Sequence, residues 1–105
     1  MAQVSAITVV AGAPAVHYVI ADQGGNPIAP NLITSWTIGP ALQAGLVISA
    51  DATGFFFSWN GSVTPPASPG LLQATCSQPG QSPVRRTFPV LVQISAITDL
   101  TLIQQ

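Results

Sequence analysis

Proline and glycine interrupt this chain so often that no helix of ordinary length fits between them. Ten prolines and nine glycines are scattered through 105 residues, and no window of about eleven keeps the i, i+3, i+4, i+7 apolar spacing of an amphipathic helix. Between the breaks lie short runs rich in Val, Ile, Thr, Phe and Trp, residues that suit a pleated, half-buried surface. Strands are predicted over Val4 to Val10, Ala15 to Asp22, Ile33 to Ile38, Leu46 to Ser49, Phe55 to Trp59, Leu71 to Ser77, Val84 to Ile94 and Ile97 to Ile103. The breaks carry turn chemistry at Gly24-Gly25-Asn26-Pro27, Asp51-Ala52-Thr53-Gly54 and Asn60-Gly61. Pro89 falls inside the seventh run, where its missing N–H predicts a sheet edge or a bulge. Thr64 to Gly70, with three prolines, reads as an exposed, semi-rigid loop. The fold class is therefore all-β, an antiparallel sandwich of about seven or eight strands.

Alternation along each strand assigns its faces. Val16, Tyr18 and Ile20 share one side of the second strand, with His17 and Val19 on the other. Phe55, Phe57 and Trp59 share one side of the fifth, and Phe56 points away from them. Leu72, Ala74 and Cys76 alternate inward on the sixth. A chain of this size makes one domain, residues 1–105, and a domain of about 100 residues buries roughly two thirds of its unfolded surface without covalent staples. Cys76 is the only cysteine and His17 the only histidine, which excludes an internal disulfide and a Cys/His metal set.

Charge is scarcer still. Only 5% of residues are charged, for a net charge of −1, where a typical soluble domain has about a quarter. The inventory is Asp22, Asp51, Asp99, Arg85 and Arg86, with no lysine or glutamate. Phosphate binding needs several clustered cations, so nucleic acid is not an expected partner. A surface this poor in charge lacks the usual protection against association, which predicts self-association or incorporation into a larger assembly. The other reading is a monomer kept soluble by its Ser, Thr, Gln and Asn. No run approaches the ~20 apolar residues of a membrane span, so membrane insertion is not expected. Met1 to Ile7 lacks a positive n-region and does not read as a signal peptide.

One internal echo stands out: Gln3-Val-Ser-Ala-Ile-Thr8 returns as Gln93-Ile-Ser-Ala-Ile-Thr98. It is a coincidence of a low-complexity apolar chain, a pair of equivalent edge strands, or the start of a neighbouring module. The last strand, about residues 96–105, is the segment expected to serve inter-subunit or edge pairing.

From Ile7 through Val92 the chain resembles the bacterial and phage immunoglobulin-like domains of adhesins, invasin-type proteins and phage virion proteins. The resemblance is carried, in order, by the turn Asp22-Gln-Gly-Gly-Asn-Pro-Ile28, the tryptophan of Ser35-Trp36-Thr37, the corner Ala50-Asp-Ala-Thr-Gly-Phe55 and the strand Gly70-Leu-Leu-Gln-Ala-Thr-Cys76. Cys76 lies where disulfide-bearing immunoglobulin domains place one cysteine of their pair, and the second is missing. The Gly39 to Gly45 insertion and the extra C-terminal strand depart from the pattern. The resemblance implies an immunoglobulin-like sandwich with structural, adhesive or weak surface-binding roles and no catalytic residues. It implies, first, a phage virion component located in the virion, such as a capsid decoration or tail-associated subunit touching other virion proteins. The alternative is an adhesion or carbohydrate-binding module at the bacterial cell surface or extracellular, with weak glycan binding.

Catalysis needs a nucleophile beside an activating base, and the candidates do not cluster. Asp22 and Asp51 fall in turns, where aspartate caps backbone N–H groups. His17 lies mid-strand among apolar residues, and Cys76 reads as a small buried hydrophobe. Asp22 with Asn26 is the one pair that could share a cation, against the simpler reading of a turn. Asn60-Gly61-Ser62 fits a glycosylation acceptor and reads equally as a hairpin turn. No enzyme activity, cofactor or metal is expected. The interaction candidates are Phe56 and Trp59, as aromatic anchors or sugar-stacking platforms, and Arg85 and Arg86, whose alternation puts at least one at the surface. A solvated edge charge is the plainer role for the arginines.

Overall fold

The computed structural model describes residues 6–94 and 100–105. Seven strands form two sheets: β1 (Ile7–Val10), β2 (Val16–Tyr18), β3 (Ile33–Ile38), β4 (Leu46–Ala50), β5 (Phe55–Trp59), β6 (Gly70–Cys76) and β7 (Val84–Gln93). One sheet has the order β1-β7-β6-β3 and the other β2-β5-β4. Every pairing is antiparallel except that of β1 with β7, which is parallel. This is an all-β, two-sheet architecture, as the strand pattern predicts.

The core follows from alternation on β5, where Phe55, Phe57 and Trp59 are buried while Phe56 and Ser58 are only half-buried. Across from them lie Val9 on β1, Leu72 on β6, and Val90 and Val92 on β7. Trp36 on β3 meets Phe55 and Phe57 edge-on, with centroids 5.1 and 5.7 Å apart and planes at 86° and 89°. That arrangement sets the positive ring edge against the negative ring face.

One end of this core is plugged by the Gly39 to Gly45 insertion. Leu42 N–H donates to the Gly39 carbonyl and Leu46 N–H to that of Leu42, and the resulting turn drives Leu42 inward to 0% exposure. Glycine is required beside it. A Cβ at Gly70 would lie 2.4 Å from the Leu42 Cγ, and one at Gly45 would lie 2.5 Å from the Trp59 ring. Trp59 is fixed there by its indole N–H, which donates to the Val63 carbonyl at 2.8 Å.

Several expectations are corrected. The second strand stops at Tyr18 rather than Asp22, because the chain turns away; only an isolated bridge between Ala21 and Pro27 continues it. The turn at Asn60 forms, with Ser62 N–H on its side-chain oxygen, but it is not a hairpin, since β5 and β6 belong to different sheets. Of the expected eighth strand, residues 100–103 carry no strand structure; its start, and that of the first, lie outside the described residues. Pro89 is reconciled by register. β1 pairs β7 only over Val90 to Gln93, so Pro89 lies just below the double-paired half. Among the described residues, Val84 to Pro89 has a ladder partner on the β6 side alone.

Candidate functional site

The opposite end of the sandwich is not plugged. The connections β2–β3, β4–β5 and β6–β7 gather there, and between them opens a cleft of about 1160 Å³. It exists because the sheets are unequal. β7 continues down to Val84 and β6 to Cys76, whereas β2 is only three residues long and leaves the last inward-facing positions of the larger sheet uncovered. Val84, Arg86 and Phe88 share parity with the buried Val90 and Val92, yet Val84 is 65% exposed. The cleft floor is Trp36, Phe57 and Ala74; Ile7, Tyr18, Ile20 and Ile28 wall it; Arg85, Arg86 and Cys76 stand at its rim. Arg86 extends over Phe88, its Cζ 5.8 Å from the ring centroid, a distance that supports a cation–π contact. Tyr18 closes one flank, accepting the Thr8 N–H at 2.9 Å.

Beside the cleft, His17 and Asp51 form the one acid–base contact of this kind found among the described residues, with Nε2 3.6 Å from Oδ1. Thr53 joins them, its hydroxyl 3.3 Å from the same His17 nitrogen and 2.9 Å from the same Asp51 oxygen. A charge-oriented relay needs the carboxylate and the nucleophile on opposite ring nitrogens. Here both meet Nε2. The carboxylate is instead the keystone of the β4–β5 corner, accepting the N–H groups of Thr53 and Gly54, each at 2.8 Å. Those bonds, chiefly from Thr53, hold the Asp51 pKa below its ordinary 3.8, with the His17 charge a smaller contributor. Asp22 is used the same way, by the N–H groups of Gly24 and Asn26. Among the described residues, no three His, Cys, Asp or Glu side chains gather as a metal set, and no helix is long and apolar enough to cross a membrane.

The four predicted interaction residues separate. Trp59 is 2% exposed in the plugged end, so it offers no surface platform; its inward parity on β5 decides this. Phe56 is on the outer face of the smaller sheet, half-buried beneath the His17 ring at 4.7 Å between centroids. Arg85 points to the outer face of the larger sheet and Arg86 to the inner, both solvent-exposed. What sequence reasoning missed is the cleft itself. Parity places Arg86 with Phe88, but nothing local reveals that the facing strand ends early.

Large apolar side chains also stand on both outer faces: Val47 on β4, 51% exposed, and Leu71 on β6, 57% exposed, with Leu91 beyond it on β7. Comparison with family models, curated proteins and solved structures returns no match.

Proposed function

We propose that this chain is a non-catalytic, immunoglobulin-like assembly module, and specifically a phage virion component of the capsid-decoration or tail-associated kind. The immunoglobulin-like reading is supported by strand order. Immunoglobulin sandwiches put their third, sixth and seventh strands in one sheet and their first, second, fourth and fifth in the other; β2 to β7 divide in that way here, whereas β1 joins the seventh strand instead. Trp36 occupies the central position of the third strand against the aromatic core.

The observation that carries the assembly reading is the surface. Five charged side chains serve the whole molecule, while valine and leucine stand exposed on both outer faces and at an open-ended core. With so little charge beside them, these side chains and the open end of the core offer apolar surface for a neighbour to cover. A virion supplies the permanent neighbours such a surface needs, and the resemblance to phage virion domains points the same way. Electron microscopy of the purified protein tests it: ordered oligomers or lattices are expected, and dispersed single copies at high concentration contradict it.

A second reading, weak glycan binding by a surface adhesion module, is favoured by Phe56, the aromatic ring on the outer face of β5. It predicts glycan-array binding that disappears in Phe56→Ala.

A further inference from the structure

We infer that the cleft is a docking site for a second copy of this chain, entered by the apolar segment Leu100-Thr-Leu-Ile103. The inference rests on the assembly reading and names the contact that would build it. Among the described residues, no strand covers inward-facing Val84, Arg86 and Phe88. The segment is the most exposed apolar stretch among the described residues, with Leu102 fully exposed and Ile103 at 73%. An extended segment lying between two sheets buries both its faces against their inward side chains. Leu102 and Ile103, on opposite faces of an extended segment, would then each find an apolar wall.

Charge fixes the match further. Two of the protein's charges, Arg85 and Arg86, stand at the cleft rim, and Asp99 immediately precedes Leu100 in the sequence. The same aspartate argues against the rival site suggested by the echo. Were Gln93 to Thr98 to replace its near-copy Gln3 to Thr8 on a neighbour, Asp99 would take the position of Val9, which is 1% exposed. A carboxylate there would be desolvated without a partner. At the cleft rim a carboxylate would have Arg85 and Arg86 for partners.

Reach favours a second copy over the chain's own tail. β7 spans ten residues from Val84 at the cleft to Gln93 at the far end, about 30 Å at strand rise. The run from Ile94 to Leu102 covers at most about 29 Å fully extended. After the turn needed to reverse direction, Leu102 falls short of its own Val84, so the chain's own tail reaches the Phe88 end of the cleft but does not fill it to the mouth.

Cys76, the single cysteine, stands at the cleft rim and supplies the probe. The full chain carrying Leu102→Cys is oxidised with a copper catalyst, and disulfide formation requires Cα atoms within about 7 Å. Dimers and ladders in which Cys76 of one copy is bonded to the introduced thiol of another, mapped by mass spectrometry, are expected. An intramolecular bond, or none, overturns the inference, as does rapid intramolecular bonding of Cys76 in a Val4→Cys variant, which would show the chain's own start filling the cleft. Sedimentation of Leu102→Asp and Ile103→Asp gives the second readout. Both positions are exposed, so folding is unaffected, and dissociation should rise about 10- to 100-fold, the loss of one buried leucine-sized contact. If wild type associates and both variants associate equally well, the docking inference fails while the assembly reading stands. If wild type never associates, both fail.

Discussion

Gly45 and Trp59 show how a single absent side chain sets the geometry of the plugged end. The indole has no room to retreat, because its N–H is held by the Val63 carbonyl and a Cβ at Gly45 would lie 2.5 Å from two ring carbons. Gly45→Ala is therefore expected to destabilise by about 1–3 kcal/mol, the usual cost of overpacking. At about 4–8 °C per kcal/mol for a domain of this size, thermal unfolding reads it directly; an unchanged Tm would mean that the ring is free to move. Asp51 makes a second prediction at this scale. Its folded pKa is lowered below 3.8 by the Thr53 and Gly54 bonds. The carboxylate thus contributes stability above its ordinary value, and that contribution is lost as pH falls through the lowered folded one. The urea midpoint of wild type should drop below about pH 3.8, and that of Asp51→Asn should drop less. Parallel curves would place the acid sensitivity elsewhere.

Among the elements, β5 gives the sharpest contrast, since neighbouring phenylalanines on it do different work. Phe57 is buried and ringed by Tyr18, Trp36 and Phe55, whereas Phe56 is half-buried beneath the His17 ring. Phe57→Ala is expected to cost about 3–5 kcal/mol and Phe56→Ala well under half of that, measured by chemical denaturation. Equal losses would mean that the outer face is packed like the inner. This alternation was legible in Phe55 to Trp59 because a period of two leaves each residue one side. The bounds of β3, Ile33 to Ile38, were legible as well, but not the bulge between Ile33 and Ser35 that breaks its alternation. Leu42 was not: it lies in a Gly-Pro-Ala-Leu-Gln-Ala-Gly turn with neither strand nor helix period, and its burial depends on Gly70 arriving from the distant strand β6. Leu42→Ala should cost about 2–5 kcal/mol for the cavity it leaves, a large effect for a turn residue. The early end of β2 was hidden for a related reason. Val19 and Ile20 continue its apolar alternation, but the Asp22 turn and the Ala21–Pro27 bridge draw that stretch off the ladder.

At the scale of the molecule, the two ends of the sandwich have opposite characters. One is closed by Leu42 and Trp59; the other leaves Val84, Arg86 and Phe88 at the mouth of a cleft. The scarcity of charge predicts association but names no place for it, because an open end arises from unequal strand lengths across two sheets. With 5% of residues charged, association driven by apolar burial should be indifferent to screening or strengthened by it. Exclusion of a salt such as sulfate from the surface reinforces burial. Sedimentation velocity of the purified wild-type chain, run over a hundredfold concentration range in low salt and again in high sulfate, tests this most directly. Reversible association that rises with concentration and survives or tightens in high sulfate is the predicted result. A single monomeric boundary at every concentration and salt would contradict it.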